Sequence, residues 1–129
     1  MIIDRLNVAI VQANLLWEQV EGNIQHLAGL LDTIVGKPHI VVLPEMFTTG
    51  FSMNAESLAE EPRGDTFRWM AHQARSRGYA ICGSYIVTEK GRYYNRFHFV
   101  TPDGTCFEYD KRHLFTFANE NLKYTPGKE

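Results

Sequence analysis

The sequence has 129 residues, of which 44% are hydrophobic and 12% aromatic, and its net charge at pH 7 is −2. This composition is typical of one globular domain with a sizeable core. The near-neutral charge gives no basis for binding nucleic acid or an anionic membrane surface. No apolar run approaches the roughly 20 residues that span a bilayer, and residues 1–5 lack the order of a signal peptide. We therefore expect a cytoplasmic protein without nucleic-acid or membrane partners.

The first part of the chain predicts a β-α-β unit. Leu6–Ala13 is a short β-branched apolar run, which indicates a strand that is buried on both faces. From Glu21 onward, apolar residues recur at the i, i+3, i+4, i+7 spacing of an amphipathic helix, namely at Ile24, Leu27, Ala28 and Leu31. Gly36 and Pro38 end this helix, and His39–Leu43 then predicts a second buried strand.

A polar segment and a second helix follow. Thr48–Arg63 has no clear periodicity, and a loop of that length in a compact domain is usually functional or mobile. Asp65 stands where a helix N-cap is expected, ahead of apolar residues at helical spacing. The helix is predicted to end near Arg77, with Gly78 as its C-terminal stop.

Turn residues divide the next stretch into three strands. Glu89-Lys90-Gly91 and Pro102-Asp103-Gly104 are turn signals, and they separate Tyr79–Val87, Arg92–Val100 and Thr105–Lys111. The predicted order β-α-β-α-β-β-β combines parallel crossovers with antiparallel hairpins. It indicates an α/β fold with a mixed sheet and helices on one face.

Two charged residues occupy strand ends, Glu45 after the second strand and Lys111 on the last. Ligands of open α/β sheets bind beyond such ends, where a carboxylate can act as a general base. Strand alternation places Lys111 on the same face as two aromatic residues, where an ammonium group can stabilise developing negative charge. Position alone favours simpler interpretations: a loop glutamate paired with an arginine, and a lysine that extends into solvent.

The other reactive residue types indicate no metal or cofactor site. His113 has no Cys or His partner at ligand spacing, so a hydrogen-bonded structural role is favoured. Cys82 reads as a small buried apolar residue, and Cys106 falls on the strand face opposite Lys111. No phosphate-binding or dinucleotide-binding glycine motif is present in the sequence.

Taken together, several stretches resemble the nitrilase superfamily of carbon–nitrogen hydrolases. Leu43-Pro44-Glu45 resembles the motif around the general-base glutamate of that family, and Tyr109-Asp110-Lys111-Arg112-His113-Leu114 resembles its catalytic-lysine motif. Glu120, ahead of Pro126-Gly127, stands where the family carries a second glutamate. Gln12 and Tyr94-Asn95-Arg96 fit the same pattern. The match runs through the whole chain in the expected order. Within the superfamily, the chain most resembles the bacterial omega-amidases, because it combines Glu45-Met46-Phe47-Thr48-Thr49-Gly50-Phe51 with Tyr109-Asp110-Lys111-Arg112-His113-Leu114-Phe115.

The resemblance implies a four-layer α-β-β-α sandwich and a Glu-Lys-Cys triad. Glu45 would take the thiol proton, the thiolate would attack the amide carbon, and Lys111 would stabilise the oxyanion. Glu120 would support the site by orienting the lysine or the attacking water. Omega-amidases cleave the terminal amide of short dicarboxylate monoamides, such as 2-oxoglutaramate and succinamate, and the implied chemistry needs no cofactor.

The sequence departs from the family at the nucleophile, because neither Cys82 nor Cys106 occupies a matching motif. We therefore predict that residues 1–129 are the N-terminal part of a single carbon–nitrogen hydrolase domain, without its C-terminal part, and inactive alone. Such a half-fold leaves one apolar sheet face uncovered, so we expect a homodimer or association with the missing half. The alternative is a non-catalytic binding or assembly module built on the half-fold.

Overall fold

The computed structural model describes residues 4–129, which form a five-stranded sheet with helices. The strands are β1 (Val8–Ile10), β2 (Ile40–Val42), β3 (Ala80–Glu89), β4 (Arg92–Val100) and β5 (Cys106–Asp110). The helices are α1 (Val20–Asp32), α2 (Ala55–Leu58), α3 (Asp65–Arg77) and α4 (Glu120–Lys123), with a 3-10 turn at Thr116–Ala118. The strand order is β1-β2-β3-β4-β5, parallel from β1 to β3 and antiparallel from β3 to β5. The predicted α/β fold with a mixed sheet is confirmed.

The main core lies between one face of the sheet and the two long helices. Leu27 of α1 and Met70 of α3 are fully buried there, and each such side chain contributes about 1.5–3 kcal/mol through removal from water. They pack against buried residues of the sheet, including Val41, Ile81, Tyr85, Val87 and Val100. Helices α1 and α3 therefore cover this face, as the apolar spacing predicts.

The opposite face of the sheet is largely uncovered. Its exposed apolar side chains are Val8 (46% exposed), Ile10 (71%), Phe97 (37%), Phe107 (62%) and Tyr109 (45%). The prediction that the first strand is buried on both faces is therefore wrong. Within the predicted strand Leu6–Ala13, three alternate residues, Ala9, Val11 and Ala13, pack against the main core, because β1 is an edge strand covered on a single side. At one end of the uncovered face, a smaller cluster of buried residues brings α2 and α4 together: Met46, Ala55, Ile86 and Tyr124.

Helix α3 ends as predicted but begins differently. Gly78 adopts the left-handed conformation, with φ of 75°, and its N–H bonds to the Ala74 carbonyl. The predicted N-cap at Asp65 is wrong, since Asp65 is the first helical residue and Gly64 precedes it. The Glu60 carboxylate instead accepts a hydrogen bond from the Thr66 N–H at 2.9 Å. A side chain six residues earlier therefore satisfies a backbone donor that an N-cap would otherwise satisfy.

The segment predicted as the irregular loop Thr48–Arg63 is packed rather than open. It contains α2, and Glu60 forms a parallel bridge with Val87 of β3. Ser52 is buried, and its carbonyl accepts a hydrogen bond from the Tyr124 hydroxyl at 2.7 Å. The four-residue helices α2 and α4 are too short to show a periodic pattern. Within residues 4–129, no helix is long and apolar enough to cross a membrane.

Candidate active site

Glu45 lies in a tight turn directly after β2. The next residue, Met46, has a φ of 50°, in the left-handed region that non-glycine residues seldom adopt. Ser84 of β3 holds this turn: its hydroxyl accepts from the Met46 N–H at 2.9 Å, and its carbonyl accepts from the Phe47 N–H at 3.0 Å. The Glu45 side chain remains 49% exposed. The backbone is therefore fixed while the carboxylate stays accessible.

Lys111 follows the last residue of β5 and is held on both sides by backbone hydrogen bonds. Its N–H donates to the Asn95 carbonyl at 3.0 Å, and its own carbonyl accepts from the Gly127 N–H at 3.1 Å. A Cβ atom at position 127 would overlap the backbone of Asp110, so only glycine fits this approach. The Pro126-Gly127 turn therefore helps to fix the base of the Lys111 side chain.

Glu120 is the first residue of α4 and is fully buried. The preceding residue, Asn119, has a φ of 61° and turns the chain into the helix. The Glu120 Oε1 atom accepts a hydrogen bond from the Phe115 N–H at 2.6 Å. Burying an unpaired carboxylate is energetically unfavourable. The charge of Glu120 must therefore be balanced by further contacts within the site.

Four side chains join in a closed polar network: Glu45, Asn95, Lys111 and Glu120. The Lys111 Nζ atom lies 2.7 Å from Glu45 Oε1 and 3.1 Å from Glu120 Oε1. The Asn95 Nδ2 atom donates to Glu45 Oε1 at 2.9 Å and to Glu120 Oε2 at 3.2 Å. The structure thus brings together the three residues that the sequence analysis selected, and it adds Asn95.

The surroundings of Lys111 keep its ammonium group charged. Partial burial acts to lower the pKa of Lys111, but hydrogen bonds and charges from Glu45 and Glu120 outweigh it, and the net effect raises the pKa. Two of its three N–H bonds are engaged by the carboxylates, which leaves one for a ligand. The Nζ atom also lies 5.2 Å from the centroid of the Phe51 ring. Lys111 is therefore suited to electrostatic stabilisation rather than to accepting a proton.

A cavity of about 320 Å³ adjoins the polar network, within the size range of small-ligand sites. Its lining residues are Leu43, Glu45, Gly83, Ser84, Asn95, Phe97, Tyr109 and Lys111. Phe97 and Tyr109 pair across β4 and β5 on the uncovered face of the sheet. The cavity therefore combines an apolar wall with a carboxylate and an ammonium group.

Neither cysteine lines this cavity, and neither thiol is activated. Burial raises the pKa of Cys82 to about 11 and also raises the pKa of Cys106, whereas the thiolate is the reactive form. Cys106 packs against the main core, on the face opposite the cavity. It also precedes Lys111 by five residues, or about 16 Å along an extended strand.

His113 is exposed, and it makes no hydrogen bond with the described residues, so its predicted hydrogen-bonded role is wrong. Within residues 4–129, no group of three or more His, Cys, Asp or Glu side chains is arranged to hold a metal ion.

Sequence reasoning gave no role to Asn95, although a signal for it is present. Asn95 and Lys111 each lie eight residues from Asp103, the centre of the Pro102-Asp103-Gly104 turn. A regular hairpin about that turn places them opposite one another, and the structure does so. What the hairpin alone does not show is the approach of Glu45 and Glu120 to the same amide group.

Comparisons with known proteins identify the family. The carbon-nitrogen hydrolase family model matches residues 7–128. The chain belongs to the carbon–nitrogen hydrolase family. It is 40% identical to the omega-amidase YafV of Yersinia enterocolitica over 124 residues, which cover 96% of this chain and 48% of that protein. It is 26% identical to the 2-oxoglutaramate amidase of Bacillus subtilis over 125 residues, covering 95% of this chain and 48% of that protein.

Solved structures agree with this assignment. The crystal structure of XC1258 from Xanthomonas campestris, a CN-hydrolase superfamily protein with an arsenic adduct in its active site, superimposes with a TM-score of 0.91. The two are 41% identical, and the match covers 96% of this chain and 47% of that one. The chain thus spans about half the length of the relatives that it matches.

Proposed function

We propose that this chain carries the base and the oxyanion-stabilising cation of an omega-amidase-like hydrolase. The substrates are short dicarboxylate monoamides such as 2-oxoglutaramate and succinamate, cleaved at the terminal amide. The observation that carries the proposal is the Lys111 ammonium group held between the carboxylates of Glu45 and Glu120 beside a small cavity. The names of the relatives, omega-amidase and 2-oxoglutaramate amidase, support the choice of substrate class.

The proposed reaction uses a cysteine thiol from outside these residues. Glu45 takes the thiol proton, and the thiolate attacks the amide carbon to form a tetrahedral oxyanion. The free N–H of Lys111 donates to that oxyanion. The C–N bond then breaks, the proton held by Glu45 passes to the nitrogen, and ammonia leaves. A water molecule next attacks the thioester carbon while Glu45 takes its proton. The C–S bond then breaks, Glu45 returns the proton to the sulfur, and the carboxylic acid and the thiol are released.

Glu120 supports this reaction without contacting the substrate. Its Oε1 atom accepts from both the Phe115 N–H and the Lys111 Nζ atom. Because Glu120 does not line the cavity, it holds the ammonium group without occupying space there. Glu120 is therefore assigned the orientation of the lysine.

Partners and location follow as further parts of the proposal. The uncovered sheet face, with Ile10 and Phe107 as its most exposed apolar residues, is covered by the remaining half of the domain or by a second copy. The protein acts in the cytoplasm on a small-molecule amide. Light scattering and hydrophobic-dye binding of residues 1–129 test the first point, since a monodisperse monomer without dye binding would contradict it.

Ammonia release by the full-length protein tests the activity. With succinamate or 2-oxoglutaramate as substrate, Glu45→Gln should reduce kcat by about 10²- to 10⁴-fold, because the general base is lost. Glu56→Gln is the matched control, since Glu56 is an exposed carboxylate on α2. Equal activities of the two variants would contradict the role of Glu45. Amide binding without ammonia release by the unaltered protein would favour the non-catalytic module.

Residues 1–129 alone provide a second test. They should release no ammonia, because neither cysteine lines the cavity. Activity that Cys106→Ala abolishes would show that the nucleophile had been wrongly placed outside this chain.

A further inference from the structure

We propose that Asn95 is a positioning residue that fixes which oxygen of Glu45 accepts the thiol proton. The inference rests on the proposed function, because it assigns a role within the same site. Asn95 is 2% exposed and lies on β4, with its backbone bonded to Lys111. The stretch Tyr94-Asn95-Arg96 fits the pattern of the family, but that resemblance assigns no role to Asn95.

The contacts of Asn95 define an asymmetry in Glu45. Both Asn95 Nδ2 and Lys111 Nζ donate to Oε1 of Glu45, at 2.9 and 2.7 Å. Within residues 4–129, no hydrogen bond is made to Oε2 of Glu45, and the side chain is half exposed. Oε2 is therefore the oxygen that remains able to accept a proton, and the rotation of the carboxylate is set by the two donors on Oε1.

The orientation of the Asn95 amide group follows from its neighbours. Its two N–H bonds are directed at Glu45 and Glu120, and the reversed orientation would place Oδ1 against both carboxylates. In the observed orientation, Oδ1 is buried without a hydrogen-bond partner among the described residues. A buried acceptor left unpaired is unfavourable, so the arrangement is better explained by the placement of the carboxylates than by packing.

Asn95 also separates two carboxylates that share a single lysine. Glu45, Glu120 and Lys111 are the charged groups in contact with its amide group or with one another. Donors to a carboxylate favour its charged form. Removing the amide donor disfavours the ionised base, and replacing it with a third carboxylate does so more strongly.

The decisive variant is Asn95→Asp, which preserves shape and replaces the donor with a charge. We expect the acidic limb of the kcat/KM–pH profile of the full-length protein to move up by at least one pH unit. The Lys111 pKa should also rise, as followed by the 13C NMR signal of labelled lysine and assigned with Lys111→Arg. The matched control is Asn121→Asp, which adds the same charge at an exposed position on α4. If Asn95→Asp titrates like Asn121→Asp in both measurements, the proposal is overturned.

Asn95→Leu provides a second test in case the Asn95→Asp variant does not fold. It is close in volume and has no donor, so kcat should fall by about 10²-fold with a smaller upward shift of the acidic limb. An unchanged kcat and limb in a folded Asn95→Leu protein would overturn the proposal. The NMR titration does not require turnover. A raised Lys111 pKa in Asn95→Asp, with no ammonia released by the unaltered protein, would refute the proposed function and retain the positioning role.

Discussion

The buried histidine of β4 should make stability strongly dependent on pH. His98 is 1% exposed, and its ring stacks on Tyr85 with centroids 4.4 Å apart and an interplanar angle of 7°. Its Nδ1 atom lies 3.1 Å from the Arg96 carbonyl, where an N–H donor fits. Its Nε2 atom is 3.9 Å from Glu108, too far for a hydrogen bond, and Glu108 pairs instead with Arg63 at 3.1 Å. The imidazole is therefore buried in its neutral form.

The magnitude follows from the pKa of this group. Burial lowers the pKa of His98 from 6.5 to about 4, while the bond to the Arg96 carbonyl only partly opposes this. As pH falls below 6.5, the unfolded chain binds a proton that the folded chain does not. The free energy of unfolding should therefore decrease by about 3 kcal/mol between pH 6.5 and pH 4 and then level off.

Urea denaturation followed by circular dichroism at several pH values from 7 to 4 measures this loss. His98→Phe keeps an aromatic ring against Tyr85 and removes the titrating group. Its loss in free energy of unfolding over the same pH range should therefore be smaller by about 3 kcal/mol. His72→Gln is the control, because His72 is exposed on α3. The carboxylates titrate in all three proteins and cancel in the comparison. If the original protein and His98→Phe lose equal stability, the reasoning is refuted.

Two further predictions concern packing, and urea denaturation measures both. Gly83→Ala should destabilise by about 1–3 kcal/mol, because its Cβ would lie 2.8 Å from the Phe47 ring. Gly29→Ala, in α1 with nothing within 4 Å, should instead stabilise by about 0.5–1 kcal/mol, and losses of equal size would contradict the steric argument. Leu27→Ala should cost about 2–5 kcal/mol, because Leu27 is fully buried. Leu122→Ala, at a residue 71% exposed, should change stability little, and a comparable loss there would contradict the assigned core.

The second half of the sheet could be predicted from the sequence because its turns are local. Lys90 and Gly91 adopt positive φ values of 52° and 74°, the conformation that a tight hairpin requires. Gly104 does the same after Pro102-Asp103, with a φ of 90°. The turn signals therefore located β3, β4 and β5, and alternation along β5 correctly grouped Tyr109 with the face that the cavity occupies.

The errors arose where contacts outside the sequence patterns determine the structure. The Glu60 side chain, six residues before Thr66, satisfies a donor at the start of α3, whereas the N-cap pattern considers only the residue at the helix boundary. The exposure of β1 depends on what covers the sheet rather than on the composition of the strand. In the site, resemblance selected Glu45, Lys111 and Glu120, but the donor role of Asn95 depends on a contact with a residue 50 positions earlier.

The long chain separations within the polar network have a consequence for how the protein folds. Glu45 and Lys111 are 66 positions apart in the chain, and β2, β4, β5 and α4 must all be in place before the network closes. Contacts between such distant segments form late, because closing long loops is entropically costly. Until they form, burial of the Glu120 carboxylate is unfavourable, so α4 has little reason to dock. The local β4–β5 hairpin can therefore bring Asn95 opposite Lys111 early, and we expect the Glu45 and Glu120 carboxylates to join them only with the last tertiary contacts.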